Sequence, residues 1–380
     1  MEGGSRPGIL FVSPWLRDGG LEASLLSKVD WLLRRGYPVE VLTWVIGDPP
    51  NPFLEFARAR GVPVRRLRGW GRLQLAQRAV QVAARALQGA FRIIVGEELE
   101  GNLVALAAGA LLAGSRRVVA EVHSASLMFA ETAVAPGLLR MARRLYPRAN
   151  RIVVVSETLR DDVARFFGLH ADRITAVYNP TPLDRIRRLA REAAPVAEGI
   201  GPFIVGCGRL VSYKCFPDLV RAFALAGSRS RAPLKLVILG EGPERPRLAR
   251  VAVESGVASD VLLPGFVANP YPYFARAQAF VLPSRSEGQS IVLVEAMACG
   301  VPVVATRSGG PEDVLGHGSY GLLCKVGDVE ELAAAIGRVL ERPEERHRLV
   351  TAAARRVEDF SDERILPRLE ALYLGGEPPA

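Results

Sequence analysis

Short apolar runs alternate with helical patterns along the whole sequence, and this alternation limits the possible folds more than any other feature. The apolar runs lack the regular polar alternation of half-exposed strands, so they predict strands that are buried on both faces. They lie at 8–14, 38–45, 91–96, 117–124, 151–156, 203–208, 234–240, 261–266, 279–284 and 302–306. Because helices separate these strands, the sequence predicts βα units and parallel sheets.

The strand–helix pattern occurs twice, and 380 residues exceed the usual size of a single-core domain. Between the two occurrences, Tyr178–Pro202 is rich in proline, glycine and charge, which predicts a linker with one exposed helix. We therefore predict an α/β protein of two doubly wound, Rossmann-like domains that face a cleft, at 1–180 and 181–360. Ligands of such sheets bind at the carboxyl ends of the strands.

Two of the predicted strand ends carry features that suit an anion. Gly19 and Gly20 open a helix after the first strand, and paired glycines let backbone N–H groups approach an anion, although for this pair taken alone a tight turn is the better explanation. Gly208 ends the first strand of the second half, and Arg209 and Lys214 follow it. A guanidinium and an ammonium group suit a diphosphate, and two solvated surface cations are the alternative.

Two carboxylates in the second half occupy a segment that otherwise looks buried. Ser290 is predicted as an N-cap, Ile291–Cys299 as a helix and Gly300 as the residue that ends it. Glu287 precedes this helix, where dipole complementation is the alternative explanation. Glu295 lies inside the helix among apolar residues, so we expect a buried carboxylate whose partner is water or local backbone in the free protein and a ribose diol in a complex.

Glycine turns complete the pattern in the second half. Gly240 ends another strand, and the backbone N–H groups of Gly288, Gln289 and Ser290 crowd the start of the helix that carries Glu295. Cations and N–H groups for a diphosphate, with carboxylates for hydroxyl groups, describe a site for a nucleotide-sugar.

Several motifs together resemble the retaining glycosyltransferases of the GT-B fold, especially family four. The resemblance covers nearly the whole chain and rests on the glycine pair, "EVHS" at 121–124, "VSETLRDDV" at 155–163, "VYNP" at 177–180, "GRLVSYK" at 208–214, "GEGPER" at 240–245, the Glu287-x7-Glu295 pattern and "PVVATRSGGPEDVL" at 302–315.

The resemblance implies a role for each matched position. The assignments are Arg209 and Lys214 to the diphosphate leaving group, Glu295 to the ribose, Glu287 to hydroxyls of the donor sugar, His123 to the neighbourhood of the reacting sugar, and Gly19, Gly20, Gly208, Gly240, Gly288, Gln289, Ser290 and Ile291 to donor binding. It also implies that the first domain holds the acceptor, that the second holds the donor, and that a C-terminal helix at 361–376 packs back onto the first.

The turn before the Glu295 helix departs from the family pattern. Many members have an aromatic residue and then Gly, Pro or Asn there, whereas this chain has Gln289 and Ser290. The donor sugar therefore stays open, with a UDP-sugar favoured over a GDP-sugar. The "VYNP" segment resembles bacterial members that build lipopolysaccharide, capsule or lipid-linked oligosaccharides.

Other chemistries lack their signatures. No Asp-x-Asp triplet occurs, and the four histidines and four cysteines show no metal-ligand spacing, so we predict no metal and no cofactor besides the donor substrate. The sequence has no GxGxxG, P-loop or GxSxG motif. No nucleic-acid partner is predicted, because no recognisable module is present.

The charge balance and the apolar runs bear on location. The formal net charge is +9, and arginines cluster in Pro136–Arg151 and in Val64–Arg72, which also holds Trp70. Basic amphipathic surfaces attract anionic lipid, and a solvated helix face is the alternative. The longest apolar run, Leu103–Gly114, is too short to span a bilayer, and no signal peptide or CxxC is recognised. We expect a cytoplasmic protein at the inner face of the membrane.

The sequence thus predicts a retaining, metal-independent glycosyltransferase that acts on a lipid-linked or cell-envelope saccharide. A sucrose- or glycogen-type synthase of the same fold, with a soluble acceptor, is one alternative. A non-catalytic nucleotide-binding module is the other, and the presence of both Glu287 and Glu295 argues against it.

Overall fold

The computed structural model describes residues 6–17, 19–47, 51–124, 135–195, 199–227 and 233–378. The chain divides into two compact units, Met1–Pro180 with Asp362–Ala380, and Thr181–Ser361. Each unit has a parallel sheet with helices, so the predicted fold class of two Rossmann-like domains is confirmed. Among the described residues, no helix combines the length and the apolar character that crossing a membrane requires.

The first unit is built on a seven-stranded parallel sheet in the order β5-β3-β1-β6-β7-β8-β9. Its strands are β1 (Gly8–Val12), β3 (Val39–Thr43), β5 (Val64–Arg66), β6 (Phe91–Glu97), β7 (Arg117–Val122), β8 (Arg151–Val154) and β9 (Ile174–Ala176), and β2 (Trp15–Leu16) pairs separately with β4 (Val45–Ile46). Its helices are α1 (Gly20–Arg34), α2 (Pro52–Arg60), α3 (Gln74–Gln88), α4 (Glu98–Leu111), α5 (Pro136–Leu145), α6 (Glu157–Phe167) and, at the end of the chain, α15 (Asp362–Leu374).

Both faces of this sheet are covered, as the apolar runs predict. Leu10 and Val12 of β1 point to a core shared with α3 and α4, whereas Ile9 and Phe11 point to a core shared with α1 and α15. All five residues of β1 are buried. A strand with no exposed side has no polar alternation, which is why these segments read as continuous apolar runs.

The second unit has a six-stranded parallel sheet in the order β12-β11-β10-β13-β14-β15. Its strands are β10 (Phe203–Cys207), β11 (Lys235–Leu239), β12 (Val261–Gly265), β13 (Ala279–Leu282), β14 (Val303–Thr306) and β15 (Leu322–Cys324). Its helices are α7 (Leu183–Leu189), α8 (Phe216–Gly227), α9 (Arg245–Glu254), α10 (Tyr271–Arg276), α11 (Ile291–Ala298), α12 (Gly310–Val314), α13 (Val329–Glu341) and α14 (Pro343–Arg356).

The structure differs from the sequence prediction at the sheet edges and in the linker. Strands β5, β9 and β15 were not predicted, and each is a three-residue strand at the edge of its sheet. Edge strands are short and partly exposed, so they lack a continuous apolar run. The helix predicted as exposed in the linker is α7, which buries Leu183 and Ile186 within the second unit, so that description was wrong.

Candidate functional site

The loop after β10 carries the two cations that the sequence singled out. Arg209 is exposed, and its Nη2 donates to the hydroxyl of Tyr213 at 2.7 Å. A short 3-10 turn, Ser212–Lys214, follows and leads into α8. Both cations therefore lie just beyond the carboxyl end of the strand, which is where the ligands of doubly wound sheets bind.

Lys214 and Glu287 are direct partners, which the sequence did not indicate. Lys214 Nζ donates to Glu287 Oε1 at 2.6 Å, and Ser284 Oγ donates to the same oxygen at 2.5 Å. β10 and β13 are neighbours in the sheet, so the loops that follow them meet. Glu287 is only 8% exposed, so Lys214 supplies the counter-ion that a buried carboxylate needs.

Gly240 allows the backbone turns after β10 and β11 to touch. Gly240 has a φ of +136°, and a Cβ there would lie 2.0 Å from the carbonyl oxygen of Gly208. No side chain fits that distance, so Gly240 is required by the close approach of the two turns. A similar contact joins the Glu287 turn to α12, since a Cβ on Gly310 would lie 2.3 Å from the Gly288 carbonyl oxygen.

The helix that carries Glu295 begins differently from the prediction. Ser290 occupies the N-cap position of α11, but its φ of +72° is left-handed and its side chain makes no capping hydrogen bond. Its hydroxyl group is buried without a partner among the described residues. The predicted N-cap position is therefore correct and the capping role of the side chain is wrong, because a capping serine needs an extended backbone to reach the first turn. Gly300, with a φ of +76°, follows the helix as predicted.

Glu295 has a protein partner, so the expectation of water or local backbone alone is wrong. Tyr271 Oη donates to Glu295 Oε1 at 3.0 Å from helix α10, 24 residues earlier in the chain. The residue is partly exposed rather than fully buried. Burial nevertheless raises the pKa of the Glu295 carboxyl to about 7, and the hydrogen bond from Tyr271 acts in the opposite direction.

The predicted residues of the first unit lie at the carboxyl ends of its strands. Gly20 begins α1 after β1 and β2, and Gly19 precedes it in an extended conformation. His123 directly follows β7, and its Nε2 lies 3.3 Å from Glu121 Oε2. A small cavity beside His123 is also lined by Ser24 and Asn179. The imidazole of His123 therefore lines this cavity together with residues of the sheet.

A buried charge cluster, which we call the Lys28 cluster, lies behind His123. Lys28 Nζ lies 2.6 Å from both Glu97 Oε1 and Glu121 Oε2, and Tyr373 Oη of α15 donates to the other oxygen of Glu121. The side chains of Lys28, Glu97 and Glu121 are at most 3% exposed. Burial opposes ionisation of Glu121, but Lys28 and His123 together outweigh it and lower the pKa of that carboxyl to about 2.

The sequence reasoning missed this cluster, because its members come from four separate elements. In the part of the chain that the structure describes, Glu97, Glu121 and His123 are the one group whose ligand atoms are close enough to surround a metal ion. The ammonium group of Lys28 already lies between the two carboxylates, and a cation added there would have to displace it. Glu98 was also missed: it has a left-handed φ of +58°, and both its carboxylate oxygens accept from Ser124 Oγ at 2.9 Å.

Cations, a close glycine turn and carboxylates lie together beyond the strand ends of an α/β sheet, which is where the ligands of doubly wound sheets bind. Comparison with known proteins makes the class specific. Residues 18–185 match the family model described as Glycosyltransferase Family 4, and residues 192–356 match the model described as Glycosyl transferases group 1. The two matches account for most of the chain, which belongs to the family-four glycosyltransferases.

Two curated relatives match over part of their length. One relative is the Campylobacter jejuni N-acetylgalactosamine-N,N'-diacetylbacillosaminyl-diphospho-undecaprenol 4-alpha-N-acetylgalactosaminyltransferase. This chain is 32% identical to it over 222 residues, and the match covers 58% of this chain and 59% of the relative. This chain is also 35% identical over 248 residues to a GDP-mannose-dependent alpha-(1-6)-phosphatidylinositol monomannoside mannosyltransferase of Mycolicibacterium smegmatis. That match covers 61% of this chain and 63% of the relative. The matches thus span about three fifths of each relative's own length.

Solved structures agree with the fold. HepE of Anabaena in complex with UDP-glucose superposes with a TM-score of 0.81 at 22% identity, covering 97% of this chain and 99% of that one. Sucrose-phosphate synthase of Thermosynechococcus elongatus superposes with a TM-score of 0.80 at 22% identity, covering 97% and 98%. The architecture is therefore the GT-B fold.

Proposed function

We propose that this protein is a retaining, metal-independent glycosyltransferase that moves a sugar from a nucleotide-sugar to a hydroxyl of a lipid-linked or cell-envelope saccharide. The arrangement in the second unit carries the proposal: Arg209 and the Lys214–Glu287 pair lie beyond β10, and Glu295 lies on α11. In this proposal the second unit binds the donor, and the first binds the acceptor.

The proposed chemistry assigns each group a separate task. Arg209 and Lys214 neutralise the charge that grows on the diphosphate as its bond to the sugar breaks. Glu287 accepts from hydroxyls of the transferred sugar, Glu295 accepts from the ribose, and His123 lies beside the reacting sugar. The turns at Gly208 and Gly240 bring backbone close to the diphosphate, because neither position carries a side chain.

The relatives and the fold neighbour support the choice of substrates. The Campylobacter relative is named for an undecaprenol-linked acceptor, and the mycobacterial relative is named for GDP-mannose and a phosphatidylinositol mannoside. The Anabaena structure contains UDP-glucose. A UDP-sugar is the proposed donor class, and a lipid-linked saccharide is the proposed acceptor class.

The proposal is tested with a thermal-shift panel of nucleotides and nucleotide-sugars, followed by transfer assays with the strongest stabiliser. The true donor gives the largest shift, because a ligand that binds only the folded protein stabilises it by mass action. We expect a UDP-sugar to lead the panel, the product anomer to keep the donor's configuration, and activity to survive excess EDTA. Loss of activity on chelation with recovery on adding magnesium would refute metal independence. A product of inverted anomeric configuration would refute the retaining mechanism.

The pH dependence of nucleotide binding tests the Glu295 assignment. A ribose diol donates to the ionised carboxylate, and the pKa of Glu295 is raised to about 7, so binding should tighten by about tenfold between about pH 6 and pH 8. In Tyr271→Phe the hydrogen bond that lowers this pKa is lost, so the rise should move to higher pH. Calorimetric titrations of UDP at several pH values measure both effects.

Glu295→Gln is the matched control, because UDP itself titrates in this range while the variant keeps the shape of the side chain. The difference between the wild type and Glu295→Gln isolates the contribution of the carboxylate. In the free protein the sign is reversed: a raised pKa means that stability falls as pH rises from about 4.5 to about 7. Parallel binding curves for wild type and Glu295→Gln would remove Glu295 from the ribose site.

A further inference from the structure

One helix of the first unit buries its inner face and leaves an uncharged outer face exposed. Ala79, Val82, Ala83 and Ala86 of α3 belong to the core. On the outer side of this helix Val80 and Leu87 are 57% and 64% exposed, and in the turn that precedes it Trp70 and Leu73 are 70% and 67% exposed. We call these four residues the apolar stripe. Leu73, Val80 and Leu87 are seven residues apart, two helical turns each, so they lie on one line along the helix.

The rest of the outer face of α3 carries no charge. Its other exposed residues are Gln74, Ala76, Ala84 and Gln88. A solvent-facing helix surface normally carries charged side chains, and a contiguous apolar surface on a soluble unit marks an interaction site. Single exposed apolar residues need no explanation, but three that recur every seven residues along one line, with Trp70 near its end, do.

The sequence around the apolar stripe is strongly basic. The segment Phe56–Gly96 contains nine arginines and no aspartate or glutamate, so its formal charge of +9 equals that of the whole chain. Some of these arginines have acidic partners from elsewhere, such as Arg65 and Arg85 with Glu40. Arg66 and Arg68 are exposed at the end of β5, immediately before Trp70.

The other basic segment singled out in the sequence does not have this character. In α5 the apolar residues Leu138, Leu139, Met141 and Leu145 pack against the core of the first unit. Its exposed residues include Arg140, Arg143 and Arg144, which form an ordinary solvated face. The structure therefore separates two segments that composition alone could not distinguish.

We propose that the apolar stripe and the arginines beside it dock the protein on an anionic lipid bilayer. An apolar line along a helix, an indole at one end and a basic flank suit a helix that lies in the headgroup region, with its apolar side towards the acyl chains. Anionic headgroups complement the arginines. The proposal rests on the proposed function in one respect: it names the surface that brings the enzyme to a lipid-linked acceptor.

Flotation of the full-length protein with vesicles tests the docking surface. We expect binding to phosphatidylcholine vesicles that contain phosphatidylglycerol, weaker binding without it, and weakening with salt. We call Leu73→Gln/Val80→Gln/Leu87→Gln the stripe variant. It should bind vesicles at least about tenfold more weakly, since three apolar side chains no longer enter the bilayer. Arg66→Gln/Arg68→Gln should weaken binding to anionic vesicles and leave neutral ones unaffected.

Matched controls separate the docking surface from general apolarity and charge. Val253→Gln removes an apolar side chain of similar exposure (67%) from α9 of the second unit and should bind like the wild type. Arg140→Gln/Arg143→Gln/Arg144→Gln removes charge from α5 and should bind more tightly than the stripe variant. Quenching of Trp70 by brominated lipid, absent in Trp70→Phe, places the indole in the bilayer.

Three results would overturn the docking proposal. They are unchanged vesicle binding in the stripe variant, no vesicle binding by the wild type, and a wild-type dimer that the stripe variant converts to a monomer, which would assign the stripe to a second copy of this chain. The stripe variant should keep its nucleotide thermal shift and its transfer to a water-soluble acceptor. Loss of lipid binding with intact transfer therefore tests docking alone, whereas absent transfer in the wild type tests the proposed function.

Discussion

We expect Lys28→Met to lower the free energy of unfolding by about 3–5 kcal/mol, because it leaves two buried carboxylates without their shared cation. Lys28 Nζ lies 2.6 Å from a carboxylate oxygen of Glu97 and of Glu121, and none of the three side chains is more than 3% exposed. Methionine has nearly the same length, so packing changes little and the loss is mainly electrostatic. Denaturant unfolding followed by tryptophan fluorescence measures it.

Lys235→Met is the matched control for this prediction. Lys235 also pairs at 2.6 Å, with Asp260, but its side chain is 29% exposed. A solvated pair of this kind contributes at most about 1 kcal/mol. Lys28→Met/Glu97→Gln/Glu121→Gln should recover part of the lost stability, because it also removes the unpaired charges. A small loss in Lys28→Met, equal to that in the control, would contradict a closed charge cluster.

We expect Arg209→Ala to reduce kcat by about 10²–10³-fold with a smaller effect on KM, because the charge it faces grows as the diphosphate leaves. Its only described side-chain hydrogen bond is to the hydroxyl of Tyr213, and the residue is exposed. The variant should therefore unfold like the wild type, so the loss of rate cannot be attributed to folding. Steady-state kinetics with the donor found in the nucleotide panel measure the change.

Arg221→Ala and Tyr213→Phe are the controls for Arg209. Arg221 lies on α8, pairs with Asp218 at 3.0 Å and should be dispensable for turnover. Tyr213→Phe removes the hydroxyl that Arg209 contacts and tests whether that contact holds the guanidinium in place. Normal turnover in Arg209→Ala would remove this residue from the leaving-group site.

Lys214 requires a different design, because its removal has a second consequence. Lys214→Ala leaves Glu287 buried with Ser284 as its remaining described side-chain partner, so loss of stability accompanies any loss of rate. Lys214→Ala/Glu287→Gln separates the two effects: stability should return, whereas turnover should not. Lys214 and Glu287 were predicted to contact separate parts of the donor, but their direct hydrogen bond couples the effects of substituting either one.

Local sequence alone determined the strands in the interior of both sheets. Strands such as β1 and β10 are buried on both faces, and burial on both faces leaves an apolar run that is visible without the fold. The glycine turn at Gly240 was visible for a similar reason, since no other residue fits the close approach of two backbones there. Edge strands β5, β9 and β15 were not predicted, because partly exposed strands lack a continuous apolar run.

Tertiary structure alone decided which charged groups are partners. Tyr271 reaches Glu295 across 24 residues, Lys214 reaches Glu287 across 73, and Tyr373 reaches Glu121 across 252. Each pair forms where separate helices and strands pack together. The electrostatic energy of a pair depends on the distance between its two charged or polar groups and on their burial. Helix α3 shows the same limit, because its sequence contains the apolar stripe but only the packing of its inner face shows that the stripe points outwards.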